Sequence, residues 1–219
     1  AFVTQRGRCG CVVMTHEGVP LRQWKQQASA EALAIVLFQV AAALHSLQFH
    51  FGLKHLDLHD DNVCVFMDAR GPGVDAYTLN NHTFLVPRVG AVARIIDFQF
   101  ASLRMPDGMT LVRADTFLNQ GALEGLRSHT LVDEWGWDLQ TLVLSLFSEL
   151  DTVKNRKHVQ RLLQCAAFAL GVDVHRATVA TLPLKASSVR PHQFLFRLFG
   201  SRARGSWACW LAEIGRAHV

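Results

Sequence analysis

The chain has 219 residues, half of them hydrophobic and 18% charged, which excludes a disordered chain or a stapled mini-protein and allows one large domain or two small ones. Net charge is +4 with the basic residues scattered, so no direct nucleic-acid binding is expected. Five cysteines are an odd number, and Cys9 and Cys11 lack a second pair at metal-ligand spacing, so reduced thiols in an intracellular compartment are expected.

Cys11 to Met14 reads as a short strand that turns through Gly18. Ser29 then precedes a long apolar-periodic segment through Phe49, with Glu31 in its first turn and Gly52 beyond its end, the pattern of a capped helix of about five turns. Gln39, His45, Gln48 and His50 interrupt this apolar run, which reads as a buried helix, and no membrane span is expected. Beyond a polar loop from His55 to Asn62, Val63 to Phe66 and Val92 to Phe98 read as a hairpin with a long insert, Arg70 to Gly90, rich in Gly, Pro and Asn. Arg104 to Val132 shows no strong period and reads as a long, partly irregular segment. From Asp138, Leu139, Leu142, Val143, Leu146 and Leu150 recur at helical spacing, and Leu144 and Phe147 widen the apolar surface to that of a central buried helix. Further helices are expected over Lys157 to Leu170 and Pro191 to Phe199.

The chemistry concentrates in the loop after the first long helix. His55-Leu56-Asp57-Leu58-His59-Asp60-Asp61-Asn62 places an Asp and an Asn five residues apart, just before a strand. Phosphoryl transfer calls for such a pair: a carboxylate that orients or accepts the acceptor hydroxyl proton, and an amide oxygen that holds a metal ion on the nucleotide phosphates. Asp57 suits the first task and Asn62 the second. A further metal carboxylate is expected at the end of the returning strand, where Arg94-Ile95-Ile96-Asp97-Phe98 supplies Asp97. The competing explanation is that the acids and Asn62 only make turn hydrogen bonds.

This order of parts, together with Val12-Val13-Met14-Thr15-His16-Glu17-Gly18 and Leu44-His45-Ser46, resembles the hinge and C-terminal lobe of eukaryotic protein kinases, and most closely the haspin family. Haspins carry a His two residues after the catalytic Asp, as His59 here, and a Tyr-Thr-Leu-Asn signature matched by Tyr77-Thr78-Leu79-Asn80. Ile95-Ile96-Asp97, the set Val112, Asp115, Leu118 and Gly121, and Trp137-Asp138-Leu139 match further family motifs, so the resemblance covers Cys11 to Phe199. It implies a mainly α fold with a small β-hairpin, a kinase-like C-terminal lobe whose N-lobe is missing: 1–22 as the end of that lobe and the hinge, 23–205 as the C-lobe, and 206–219 as a tail. It implies a serine/threonine protein kinase that uses ATP and Mg2+, with Asp57 and His59 catalytic and Asn62 and Asp97 on the metal. Met14 would be the gatekeeper, the backbone of Thr15, His16 and Glu17 would bind the adenine, and Cys64 would lie beneath it. His55 and Phe98 would stack in a column leading to Asp138, whose carboxylate would bind loop amides. The implied substrate is a basic protein segment, a threonine of the histone three tail, met by Asp60, Asp61 and Asp115, and the implied location is the nucleus and chromosomes.

The departures matter too. Leu56 replaces the Arg that pairs with a phosphorylated activation segment, so that switch has no charge partner. His59 and Asp60 replace the usual Lys-Pro, and Gln99 replaces the Gly after Asp-Phe. Within the haspin pattern, Phe117 replaces an acid and Asn119 an aromatic residue. No Gly-rich phosphate loop, strand Lys or helix Glu precedes the hinge, so this chain alone is expected to be an incomplete catalytic domain. Ile214-Gly215-Arg216-Ala217-His218-Val219 translates a common sequencing-adapter string and is expected to be an artefact. A small-molecule kinase of the aminoglycoside or choline type also fits His-x-Asp-Leu-His-x-x-Asn, and a non-catalytic pseudokinase scaffold is the alternative from another class.

Overall fold

The computed structural model describes residues 18–104, 110–112, 135–172 and 187–200. Its elements run β1 (Val19–Pro20), α1 (Leu21–Trp24), α2 (Ala30–Phe51), β2 (Leu53–Lys54), β3 (Val63–Met67), β4 (Val74–Leu79), β5 (His82–Pro87), β6 (Ala91–Ile95), β7 (Ser102–Arg104) and β8 (Thr110–Val112). Three helices follow: α3 (Trp137–Leu146), α4 (Arg156–Leu170) and α5 (Pro191–Phe199).

Helix α2 is built as its sequence suggests. The Ser29 Oγ accepts from the Ala32 N–H at 3.1 Å, filling one of the open donors of the first turn. At the far end Gly52 turns left-handed at φ 56°, and a Cβ there would meet the Arg104 Cβ at 2.8 Å, so the stop requires glycine twice over. Leu33 to Phe38 are six consecutive residues at 0% exposure, which only a helix covered on all sides can achieve. The cover comes from α4, α5, β2 and β6. By length and composition α2 could cross a membrane, but 67% of its most apolar stretch is buried inside the fold.

The strands form three small sheets, ordered β1-β3-β6, β2-β7-β8 and β4-β5. β3 and β6 are the expected hairpin, with Val63 opposite Ile95 and Met67 opposite Ala91. The insert between them, expected as an irregular excursion, is itself a hairpin of two six-residue strands. Its two-residue turn is Asn80-Asn81, with φ of 48° and 65°, the left-handed pair that matches strand twist and that Asn tolerates. Tyr77 and Phe84 of this hairpin meet the Phe38 ring edge-on at 5.2 and 5.3 Å, and Phe199 of α5 meets it at 5.4 Å. Gln39 ties α2 to β6 by donating to the Ala91 carbonyl and accepting from the Ala93 N–H.

The described residues thus carry more strand than the one hairpin expected in a mainly α fold. β7 and β8 pair where the sequence showed no period, because a strand of three residues is too short to set one. α3 begins at Trp137, one residue before the expected start, and α4 and α5 match their expected spans within a residue. Met14, Thr15, His16, Glu17, Asp115 and the 206–219 tail lie outside the described residues.

Candidate active site

The loop from His55 to Asn62 leaves β2 and enters β3, and α3 supports it from below. Asp138, in the first turn of α3, is 1% exposed. Its carboxylate accepts the His55 N–H at 2.9 Å and the Leu56 N–H at 2.7 Å. These bonds satisfy a charge that a buried helix could not otherwise carry, although burial still pushes the carboxyl above its usual range. Leu56 is held at φ 66°, a conformation that costs a non-glycine residue about 1–3 kcal/mol and that persists only where its surroundings impose it. The strain lies directly before Asp57.

His55 is fully buried, and its Nε2 donates to the Ile96 carbonyl at 2.7 Å. The Phe98 ring stands 5.0 Å from the imidazole. The rings meet at a tilt of 53° rather than stacked, and Phe98 is 40% exposed, so the expected column is reduced to a His55–Phe98 ring contact and the bond from the His55 N–H to Asp138. On the returning side the Ile96 N–H donates to the Asn62 carbonyl at 3.0 Å, so both backbone groups of Ile96 grip the loop and fix where residue 97 emerges. Asp97 itself is left-handed at φ 59° and exposed, and its side chain makes no cap to the short helical turn that follows.

Asn62 is 7% exposed, and its Nδ2 donates to the Asp57 carbonyl at 2.8 Å. The amide nitrogen is thereby used, and Oδ1 is the ligand atom Asn62 has to offer. Burial pushes the Asp57 carboxyl above the ordinary carboxylate value, with Asp97 adding to the rise and His59, His55 and Asn62 opposing it. The His59 Nε2 lies 3.8 Å from the Asp57 carboxylate and 3.1 Å from the Asn62 Nδ2. The donor set of a carboxylate and an amide oxygen is hard and oxygen-based, the kind Mg2+ takes. Cys64, on β3, is 4% exposed and opposes Arg94 in the sheet.

Asp60 corrects the sequence reading. Expected on the surface to meet a basic substrate, it is 0% exposed, because its Oδ2 accepts from the Lys25 ammonium at 3.0 Å and its Oδ1 lies 3.4 Å from Arg22. Asp61 remains at the surface but pairs with Arg22 at 3.0 Å. His59, Asp60 and Asp61 bring ligand atoms within 4.8 Å of one another, yet the Lys25 ammonium already fills the Asp60 share of that cluster. Lys25 and Arg22 were missed in the sequence because a polar linker gives no sign of which Lys will be buried. Asp60 also showed only as one of two adjacent loop acids. No protein-family model and no curated protein matches the chain.

Proposed function

We propose that the chain is the hinge and C-terminal lobe of a haspin-like serine/threonine protein kinase, transferring the terminal phosphoryl group of ATP to a protein hydroxyl. The observation that carries this reading is the hydrogen-bonded linkage at one end of the β3–β6 hairpin, where Asn62 holds the Asp57 carbonyl and accepts from Ile96, the residue before Asp97. A carboxyl tuned upward is a better proton acceptor than an ordinary one, which suits a group that takes the acceptor proton. Asp57 would orient the acceptor oxygen for attack on the γ-phosphorus and receive its proton as the bond to the leaving diphosphate breaks. Asn62 Oδ1 and the Asp97 carboxylate would hold Mg2+, which when bound neutralises charge on the phosphates. His59, where many kinases carry Lys, would stand beside the reacting carboxylate, with its Nε2 3.8 Å from Asp57.

The hinge residues Met14 to Glu17 and Cys64 would bound the adenine, and the reaction would also call for a Gly-rich loop and a strand Lys over the phosphates. A basic segment such as the histone three tail is the acceptor implied by the resemblance. The test joins a nucleotide-covering lobe to this chain and follows phosphate transfer from labelled ATP to a threonine peptide. Asp57→Asn lowers turnover about 100-fold or more and leaves nucleotide affinity nearly unchanged, because Asp57 acts on the acceptor. Equal residual turnover in the parent and the variant refutes the assignment.

A further inference from the structure

The ammonium of Lys25 is wholly buried and fully occupied. It donates to the Asp60 Oδ2 at 3.0 Å, the Leu146 carbonyl at 3.3 Å and the Ser148 carbonyl at 2.8 Å, which satisfies all three of its donors. One of these acceptors, Leu146, is the last residue of α3 and another, Ser148, lies in the turn just beyond it, where open carbonyls favour a cation. The third joins that helix end to the middle of the 55–62 loop.

Asp60 is equally committed. Beside its carboxylate contacts, its N–H donates to the Ser145 Oγ at 3.0 Å and its carbonyl accepts from the Arg22 N–H at 3.2 Å. Every polar atom of this one residue is therefore held by groups outside the loop. Asp138 and Ser145 lie two turns apart on α3, so the loop is bolted to one rigid helix at both its beginning and its middle. Asp60 stands between Asp57, three residues before it, and Asn62, two residues after it.

Removing two charges from water is costly, and an apolar pair often stabilises a core as well or better. Stability alone therefore gives no reason for an ion pair here, whereas fixing register does. We propose that Lys25 is a positioning residue, which acts through Asp60 to set the spacing between the Asp57 carboxylate and the Asn62 amide. The inference rests on the phosphoryl-transfer reading for its catalytic meaning and on the hydrogen-bond geometry alone for the clamp. The chemistry needs such a device because an error of about 1 Å between reacting groups can cost about 100-fold in rate.

The test uses the 219-residue chain and two variants, Lys25→Met and the double Lys25→Met/Asp60→Asn, the second of which leaves no buried charge unpaired. Amide hydrogen exchange is followed at Asp60, Asn62 and Ile96, with α2 and α4 as internal references, and Mn2+ binding in the presence of ADP is followed by electron paramagnetic resonance. In the double variant the three amides exchange at least about 10-fold faster while α2 and α4 keep their protection, and Mn2+ binds about 10–100-fold more weakly, as when outer partners of a metal ligand are lost. Unchanged exchange at the three amides overturns the clamp. Faster exchange with unchanged Mn2+ affinity shows a structural pair only and overturns the positioning role. Faster exchange in a chain that binds no Mn2+ in any form, even when joined to a nucleotide-covering lobe, keeps the clamp and overturns the phosphoryl-transfer reading instead.

Discussion

Replacing Asp138 tests the support of the loop by counting orphaned donors. Asp138→Leu leaves the His55 and Leu56 N–H groups, now bonded at 2.9 and 2.7 Å, buried without partners. At about 1–3 kcal/mol for each unsatisfied buried donor, the loss is about 2–6 kcal/mol, partly offset because a desolvated carboxylate is removed with it. Asp138→Asn keeps one acceptor oxygen and turns an amide nitrogen toward the other N–H, so it orphans one donor and costs about half as much. Leu56 enlarges the effect, since its left-handed backbone is held partly by the same carboxylate. The ratio of the two losses is more informative than either value, because the offset enters both. Urea unfolding followed by circular dichroism measures them against a total stability of about 5–15 kcal/mol for a domain. Equal losses for Asn and Leu, or losses below about 0.5 kcal/mol for both, would refute the argument that these two bonds hold the loop.

Two further changes follow from the same geometry. Asp57→Asn makes the chain more stable at neutral pH. The folded state raises the Asp57 pKa, so it binds more protons than the unfolded state between the two pKa values. Wild-type stability therefore falls as pH rises from the unfolded carboxylate value through the folded one. The advantage of Asn vanishes below the unfolded value, and a variant no more stable than wild type at pH 7 in urea titrations contradicts the raised pKa. Gly136→Ala sets a Cβ 2.5 Å from the Ser187 carbonyl and 2.6 Å from the Val189 carbonyl, both backbone, so it separates the 187–190 segment from the start of α3 at a cost of about 1–3 kcal/mol. An unchanged urea midpoint would mean the segment moves aside without loss.

The elements governed by local rules were legible. Ser29 and Gly52 bracket α2 because capping depends on neighbours within a turn. The spacing of Asp57 and Asn62 likewise marked the loop without any tertiary information. The insert hairpin was obscured because Gly71 and Gly73 sit beside β4 and β5 opens on two adjacent polar residues, His82 and Thr83, without alternation, although Asn80-Asn81 could have signalled its turn. The Lys25–Asp60 pair could not be read at all, since it joins positions 35 residues apart and depends on carbonyls that α3 exposes only after folding. An acid in a polar loop reads as solvated by default, and it took two cations from α1 and the linker after it to bury this one.

The pairing of the loop acids also narrows what the site can recognise. Asp60 and Lys25 form a buried neutral pair, and Asp61 and Arg22 form a second pair at the surface. Asp57 and Asp97 remain, and the proposed reaction assigns them to the acceptor proton and the metal. The 55–62 loop thus has Asp60 and Asp61 already paired with cations of this chain, so neither stands free for a Lys or Arg of a peptide. On the proposed reading, recognition of a basic acceptor would draw on groups beyond the 55–62 loop, of which Asp115 is the one the resemblance names. Catalysis and acceptor choice would then be carried by different stretches of the chain. Within the loop it is the Asp60 charge, through Lys25, that goes to holding the backbone against the end of α3.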